Sequence, residues 1–140
     1  MSQNDCRERL QKTHFFNRVV YRFHGPERGD IIVFTSPVDH RTGYIKRVIA
    51  IGGDRIELRA KQVILNGKPL EEPFTIHKRA SENLVGDNLP EITVPQGTVF
   101  VLGDNRDESD DSSVWKDPKT GQRIFFLEDT AIKGRLIQIP

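Results

Sequence analysis

"YIKRVIAIGGD", Tyr44 to Asp54, sets two basic residues into a run otherwise suited to the interior of a sheet. Tyrosine, valine and isoleucine favour extended backbone, and Gly52-Gly53-Asp54 ends the run. In a strand, side chains alternate between faces. Tyr44, Lys46, Val48 and Ala50 would share one face, and Ile45, Arg47, Ile49 and Ile51 the other. Both faces are mainly apolar, so the strand is expected to be buried on both sides. Lys46 then has two readings. Its long stem can carry the ammonium past the sheet edge to water. Alternatively, burial keeps the amine dry and lowers its pKa, which suits a general base. Arg47 cannot lose its charge and requires an acidic partner.

The same texture extends in both directions. "HFFNRVVYRF" and "IIVF" (Ile31 to Phe34) read as strands, separated by a turn at Pro26 to Asp30. Downstream, Arg55 to Leu58 and Gln62 to Leu65 read as paired strands around a turn near Ala60. Asn66-Gly67 follows as a tight turn, since both residues tolerate positive φ. Glu71 to Pro95 carries three prolines and reads as irregular. "TVFVLGD" is a strand entering an acidic loop, and "RIFFLEDTAIKGRLIQIP" closes the chain with one or two strands. Short strands at close spacing predict a mainly β fold.

Composition narrows the classes. The chain has 140 residues, 36% hydrophobic and 29% charged, enough for one domain with a modest core. A net charge of +1 gives no case for nucleic-acid binding. The single cysteine, Cys6, excludes an internal disulfide and a cysteine-based zinc site. No run approaches the ~20 apolar residues of a membrane span. The polar start, "MSQNDCRERLQKTHFF", has no apolar h-region of a signal peptide, so the chain as given is expected to be soluble. Residues 1–14 read as a polar arm.

"VLGDNRDESDDSSVW", Val101 to Trp115, is the second dense segment. Asn105, Asp107, Ser109 and Asp111 have the alternating oxygens of a calcium loop, but the glycine at the sixth position and the glutamate at the twelfth are missing. A solvated acidic loop is a second reading. A third is a shell of hydroxyls and ion pairs around Lys46, with Asp104 or Asp111 pairing Arg47 and Arg106.

Taken together, these stretches resemble the bacterial type I signal peptidase family. "RGDIIVFTSP" resembles its Arg-Gly-Asp-Ile-Val-Val-Phe strand. "YIKRVIAIGGD" resembles its Tyr-Ile-Lys-Arg-Val-Ile-Gly-Leu-Pro-Gly-Asp box, with Ala50 and Gly52 in place of Gly and Pro. "GDNRDESDDS" resembles its Gly-Asp-Asn-Arg-x-x-Ser-x-Asp-Ser box. The likeness runs in family order from about Phe15 to Pro140. It implies a catalytic domain over 15–140, built of antiparallel sheets of the signal-peptidase type, with a small cap subdomain at about 56–95. It implies a Ser-Lys endopeptidase without metal or cofactor. Lys46 would be the general base, Ser109 the hydroxyl that positions its amine, and Arg47, Asp104, Arg106 and Asp111 an ion-pair frame. The implied partners are signal peptides of exported precursors, bound as an added strand and cut after small residues in an Ala-x-Ala-like pattern. The family works at the outer face of the cytoplasmic membrane, against its surface.

Two departures stand out. Ser113 occupies the position where the pattern has arginine. The family's nucleophile belongs to a Ser-Met-x-Pro-Thr box ahead of the "FFNRVV"-like strand, and Met1 to Thr13 hold no such box and no membrane anchor. Ser2 lacks the expected neighbours, and Cys6 is the other conceivable nucleophile. Three expectations stay open: a shortened product, a relative that binds peptides without cutting them, and substitution by Ser2 or Cys6.

Overall fold

The hairpin of β2 (Ile31–Thr35) and β3 (Gly43–Ile51) anchors the molecule, with Ile31 opposite Arg47 and Thr35 opposite Gly43. The computed structural model describes residues 17–20, 25–79 and 82–138, with the backbone alone for 17–20 and 138. The arm at 1–14, with Ser2 and Cys6, lies outside the described residues. The remaining strands are β1 (Asn17–Val20), β4 (Arg55–Arg59), β5 (Gln62–Leu65), β6 (Lys68–Pro69), β7 (Leu89–Thr93), β8 (Thr98–Leu102), β9 (Leu127–Glu128) and β10 (Ile132–Gln138). They form two antiparallel sheets, in the orders β1-β10-β2-β3-β8-β9 and β6-β5-β4-β7. Among the described residues no helix is long and apolar enough to cross a membrane.

The larger sheet buries a different cluster on each face. On one, Ile32, Phe34, Val48, Val99 and Val101 close on Trp115 and Leu127. Phe34 and Trp115 meet edge to face, 5.8 Å between ring centroids. On the other, Ile49, Ala50, Phe100 and Leu102 pack with Ile56, Leu58, Val63, Leu89 and Val94 from the second sheet and its edge. That shared cluster joins the two sheets.

Strict alternation along β3 does not hold. Its register against β8 shifts between Val48 and Ala50, a bulge that puts Ile49 and Ala50 together in the inter-sheet cluster. Tyr44, Val48 and Ile51 then pack on the opposite face. An extra residue on one strand reverses the faces of everything after it. Nor is β3 buried along its whole length: only Val48, Ile49 and Ala50 are buried, and Gly43 to Arg47 are half-buried.

Glu71 to Pro95 is not irregular throughout, because β7 pairs with β4 within it. Pro90 is tolerated because β7 is an edge strand, where a missing N–H is not needed on the open side. Asn66 and Gly67 take φ of 52° and 82°, as a tight left-handed turn requires. Ala60 and Lys61 form a similar turn at φ 48° and 73° without glycine or asparagine. External bonds hold it: the Ala60 amide donates to Asn88 Oδ1 at 2.9 Å, and the Lys61 amide to the Asp87 carbonyl at 3.0 Å.

Asp54 ties the turn after β3 to the second sheet. It accepts from Arg28 Nε at 2.7 Å and Nη2 at 2.5 Å, the Ile51 amide at 3.0 Å and Asn66 Nδ2 at 3.1 Å. The Arg28 hydrogen bonds lead in pushing its carboxyl down to about 2, with the Ile51 and Asn66 bonds adding to them against burial. A depressed carboxylate stabilises the fold above its unfolded-state pKa and loses that contribution as pH falls through its folded value. Asp54→Asn should therefore cost about 1–2 kcal/mol at pH 7, allowing for solvent around Arg28. Denaturant unfolding should show the deficit shrinking between about pH 4 and pH 2; a deficit that does not change with pH would refute the assignment.

Candidate active site

Consecutive residues of β3 point to opposite faces, and one loop serves both. The β3–β8 ladder ends at Arg47 opposite Leu102. Beyond it the chain turns through Gly103 and runs around the edge of β3. Arg47 Nε and Nη2 each donate to Asp104 at 2.9 Å, a two-pronged pair. Five residues on, Ser109 Oγ accepts a hydrogen bond from Lys46 Nζ at 2.9 Å. A short 3-10 turn, Arg106–Glu108, carries the loop from one contact to the other.

Burial lowers the Lys46 pKa below that of an ordinary lysine, and the negative charges of Asp111, Asp110 and Asp104 oppose it. Desolvation disfavours the charged amine, so the neutral form becomes accessible nearer to neutral pH. The ammonium position lies 5.4 Å from the Tyr44 ring centre. Tyr44 in turn donates its hydroxyl to Asp110 at 2.8 Å, and that bond leads in pushing its phenol up to about 12.

The loop's other residues diverge. Asp111 is fully buried and takes amides from Gly103 and Ser113, each at 2.9 Å, and the Ser113 hydroxyl at 2.6 Å. Backbone and hydroxyl donors thus hold the carboxylate beside the residue that replaces the pattern's arginine. Asp107 turns to Lys61 Nζ at 3.0 Å and the Arg79 amide at 2.6 Å. With Asp107, Ser109 and Asp111 on separate partners, the oxygens do not converge as a calcium loop would.

Arg106 does not pair with Asp104 or Asp111. Its Nη1 donates to Glu72 at 2.9 Å, Nη2 donates to the other Glu72 oxygen, and Nε donates to the Gly103 carbonyl at 2.9 Å. Reading the loop by itself cannot find this partner, because Glu72 lies in the proline-bearing stretch with no motif around it. Phe74 was missed for the same reason; its ring centre lies 3.9 Å from the Arg47 guanidinium carbon. Tyr44 lies in the same strand as Lys46 and is legible as its neighbour, whereas its bond to Asp110 is not.

Along Gly43–Lys46, β3 is laddered to β2 on one side, while β8 pairs only from Arg47 onward. The opposite side of this segment therefore has no strand partner among the described residues. Ile31, Ile45, Lys46, Arg47, Asp104 and Leu136 bound an open cleft that reaches from β10 and β2 to this part of β3.

Two outcomes follow from this geometry. A Cβ on Gly103 would overlap Ser109 Oγ and stand 3.4 Å from Lys46 Nζ. Gly103→Ala should thus push Ser109 off Lys46 while the protein stays folded, and a crystal structure with the 2.9 Å contact intact would contradict this. For a lysine whose folded-state pKa is lowered, the charged form costs stability below that pKa. The cost is relieved as pH rises through it toward the unfolded value. Relative to Lys46→Met, the wild-type chain should gain stability from pH 7 to pH 10 in denaturant unfolding. A constant difference would contradict burial of the amine.

Comparison with known proteins places the chain in a family. The family model "Signal peptidase, peptidase S26" matches residues 8–138. A probable signal peptidase I-1 of Synechocystis sp. is 42% identical over 105 residues, covering 70% of this chain and 50% of that protein. Signal peptidase I P of Bacillus subtilis subsp. natto is 36% identical over 120 residues, covering 82% and 60%. A crystal structure of a signal peptidase I from Enterococcus faecalis superposes with a TM-score of 0.62 at 30% identity, over 83% of this chain and 100% of that one. The chain thus spans about half the length of the curated relatives it matches. Matched by the family model along nearly its whole length, with the same antiparallel fold as a solved relative, this chain belongs to the signal peptidase family, peptidase S26.

Proposed function

We propose that this chain is a signal peptidase I-type serine endopeptidase domain in which Lys46 is the general base and Ser109 holds its amine in line. One observation carries the reading: a half-buried lysine, its pKa lowered by burial, donates to a serine hydroxyl at 2.9 Å beside an unpaired stretch of strand. The substrates are signal peptides of exported precursors, processed at the membrane surface on the outer face of the cytoplasmic membrane. An extended peptide adds along Gly43–Lys46, where main-chain groups supply hydrogen bonds. The apolar side chains of Ile31, Ile45 and Leu136 suit small residues in an Ala-x-Ala-like pattern.

In the reaction, neutral Lys46 takes the proton of a hydroxyl nucleophile as its oxygen attacks the peptide carbonyl. The amine then returns that proton to the departing nitrogen as the C–N bond breaks, leaving an ester. Lys46 next deprotonates the water that hydrolyses it. Arg47 with Asp104, and Asp111 with its donors, keep the loop in place while the lysine changes charge. The serine that attacks is unassigned; Ser2 is a weak candidate and lies outside the described residues.

A second reading has an observation of its own. The unpaired side of Gly43–Lys46 suits a chain that holds extended peptides by main-chain bonds without cutting them. Incubation with a precursor peptide bearing an Ala-x-Ala site separates the two. The chain by itself should bind the peptide with little or no cleavage. Grafting a Ser-Met-x-Pro-Thr segment ahead of Phe15 should then produce cleavage. Lys46→Ala in the grafted protein should lower the rate steeply; loss of the base in a well-studied serine protease costs on the order of 10⁶-fold. A grafted protein that binds and never cuts would favour the binding reading, and cleavage indifferent to Lys46→Ala would refute the assigned base.

A further inference from the structure

The loop that seats Ser109 is tied near its ends at Asp104 and Asp111, and its middle is braced from outside. Its 3-10 turn, Arg106–Glu108, has no side-chain cap of its own. A strap at residues 72–79, from the second sheet's side, supplies the restraint. The Ile76 amide donates to the Asp104 carbonyl at 2.7 Å, and the Arg106 amide to the Ile76 carbonyl at 2.9 Å. The strap is itself turned at Glu72, whose carbonyl accepts the Thr75 amide at 3.2 Å and the Thr75 hydroxyl at 2.9 Å.

The Glu72 carboxylate grips both terminal nitrogens of Arg106, and each side chain is only 8% exposed. Arg106 Nε reaches the Gly103 carbonyl. Gly103 is the residue against which Ser109 Oγ and Lys46 Nζ both lie. A buried pair of this kind adds little net stability over apolar packing, and its better-attested use is to fix register. Here the element registered is the loop bearing Ser109.

We infer that Glu72 is a positioning residue for the Lys46–Ser109 pair, acting through Arg106 and the Gly103 carbonyl. This rests on the reading of Lys46 as the base, and the test separates the two. Lys46 can be trace-labelled with acetic anhydride across pH and its acetylation followed by peptide mass spectrometry. The charged and titratable groups acting on the amine are Asp104, Asp110 and Asp111, with the Tyr44 ring beside it.

In the wild-type chain the labelling midpoint should lie below that of an exposed lysine; an ordinary midpoint there would refute the base rather than Glu72. In Glu72→Gln the midpoint should rise toward the exposed value as Ser109 loosens and water enters. Removing a negative charge would by itself lower a lysine's midpoint, so a rise reports lost seating rather than lost field. Glu72→Gln with Arg106→Gln leaves no buried charge unpaired and should show the same rise, including where the single variant folds poorly. An unchanged or lowered midpoint in either folded variant would overturn the role of Glu72.

Discussion

The two-pronged bond between Arg47 and Asp104 sets where the rest of the site can be. It closes the β3–β8 ladder at its last rung and starts the acidic loop in a defined direction. Asp104 is 36% exposed on its side chain and Arg47 17%, so the pair contributes only about 1 kcal/mol of net stability. Its larger effect is on register. Arg47 and Lys46 project to opposite sides of one strand, so a loop fixed to the first and continuing around the edge meets the second five residues later. Phe74 on the Arg47 guanidinium and Ile76 on the loop backbone brace the same corner from the connection between β6 and β7.

The fold encloses that corner on one side and leaves it open on the other. At the bulge, over Val48–Ala50, β3 is buried between two apolar clusters. Before the bulge it is half-buried and lacks a strand partner on one side among the described residues. Lys46 sits at the boundary. It is buried enough for desolvation to outweigh three nearby carboxylates, and it still lines an open cleft.

Much of this was legible in the residues. The strands at Ile31, Tyr44, Arg55, Gln62 and Thr98 follow from β-branched runs bounded by turn chemistry, and Asn66-Gly67 announced its turn. The pairing of Lys46 with Ser109 and of Arg47 with Asp104 came from the order of the boxes, since neither distance can be read from spacing. What stayed hidden depends on tertiary partners. The bulge at Ile49 leaves no mark in an apolar run, so the face assignment beyond it came out reversed. β7 was hidden by Pro90, which only an edge position permits. The Ala60–Lys61 turn carries neither glycine nor asparagine, and Asn88 and Asp87 hold it from a distance. Arg106 was assigned to the loop's own carboxylates, whereas its partner, Glu72, lies 34 residues earlier in a segment without a pattern.

The site depends on one quantity, the proton affinity of Lys46 in the folded chain. A carbon-13 NMR titration of Lys46 Cε, assigned by comparison with Lys46→Arg, measures it directly. A folded-state midpoint clearly below the ordinary lysine value near 10.4 is the predicted result. A midpoint at or above that value would contradict the desolvated base and leave Lys46 as a solvated cation at the sheet edge.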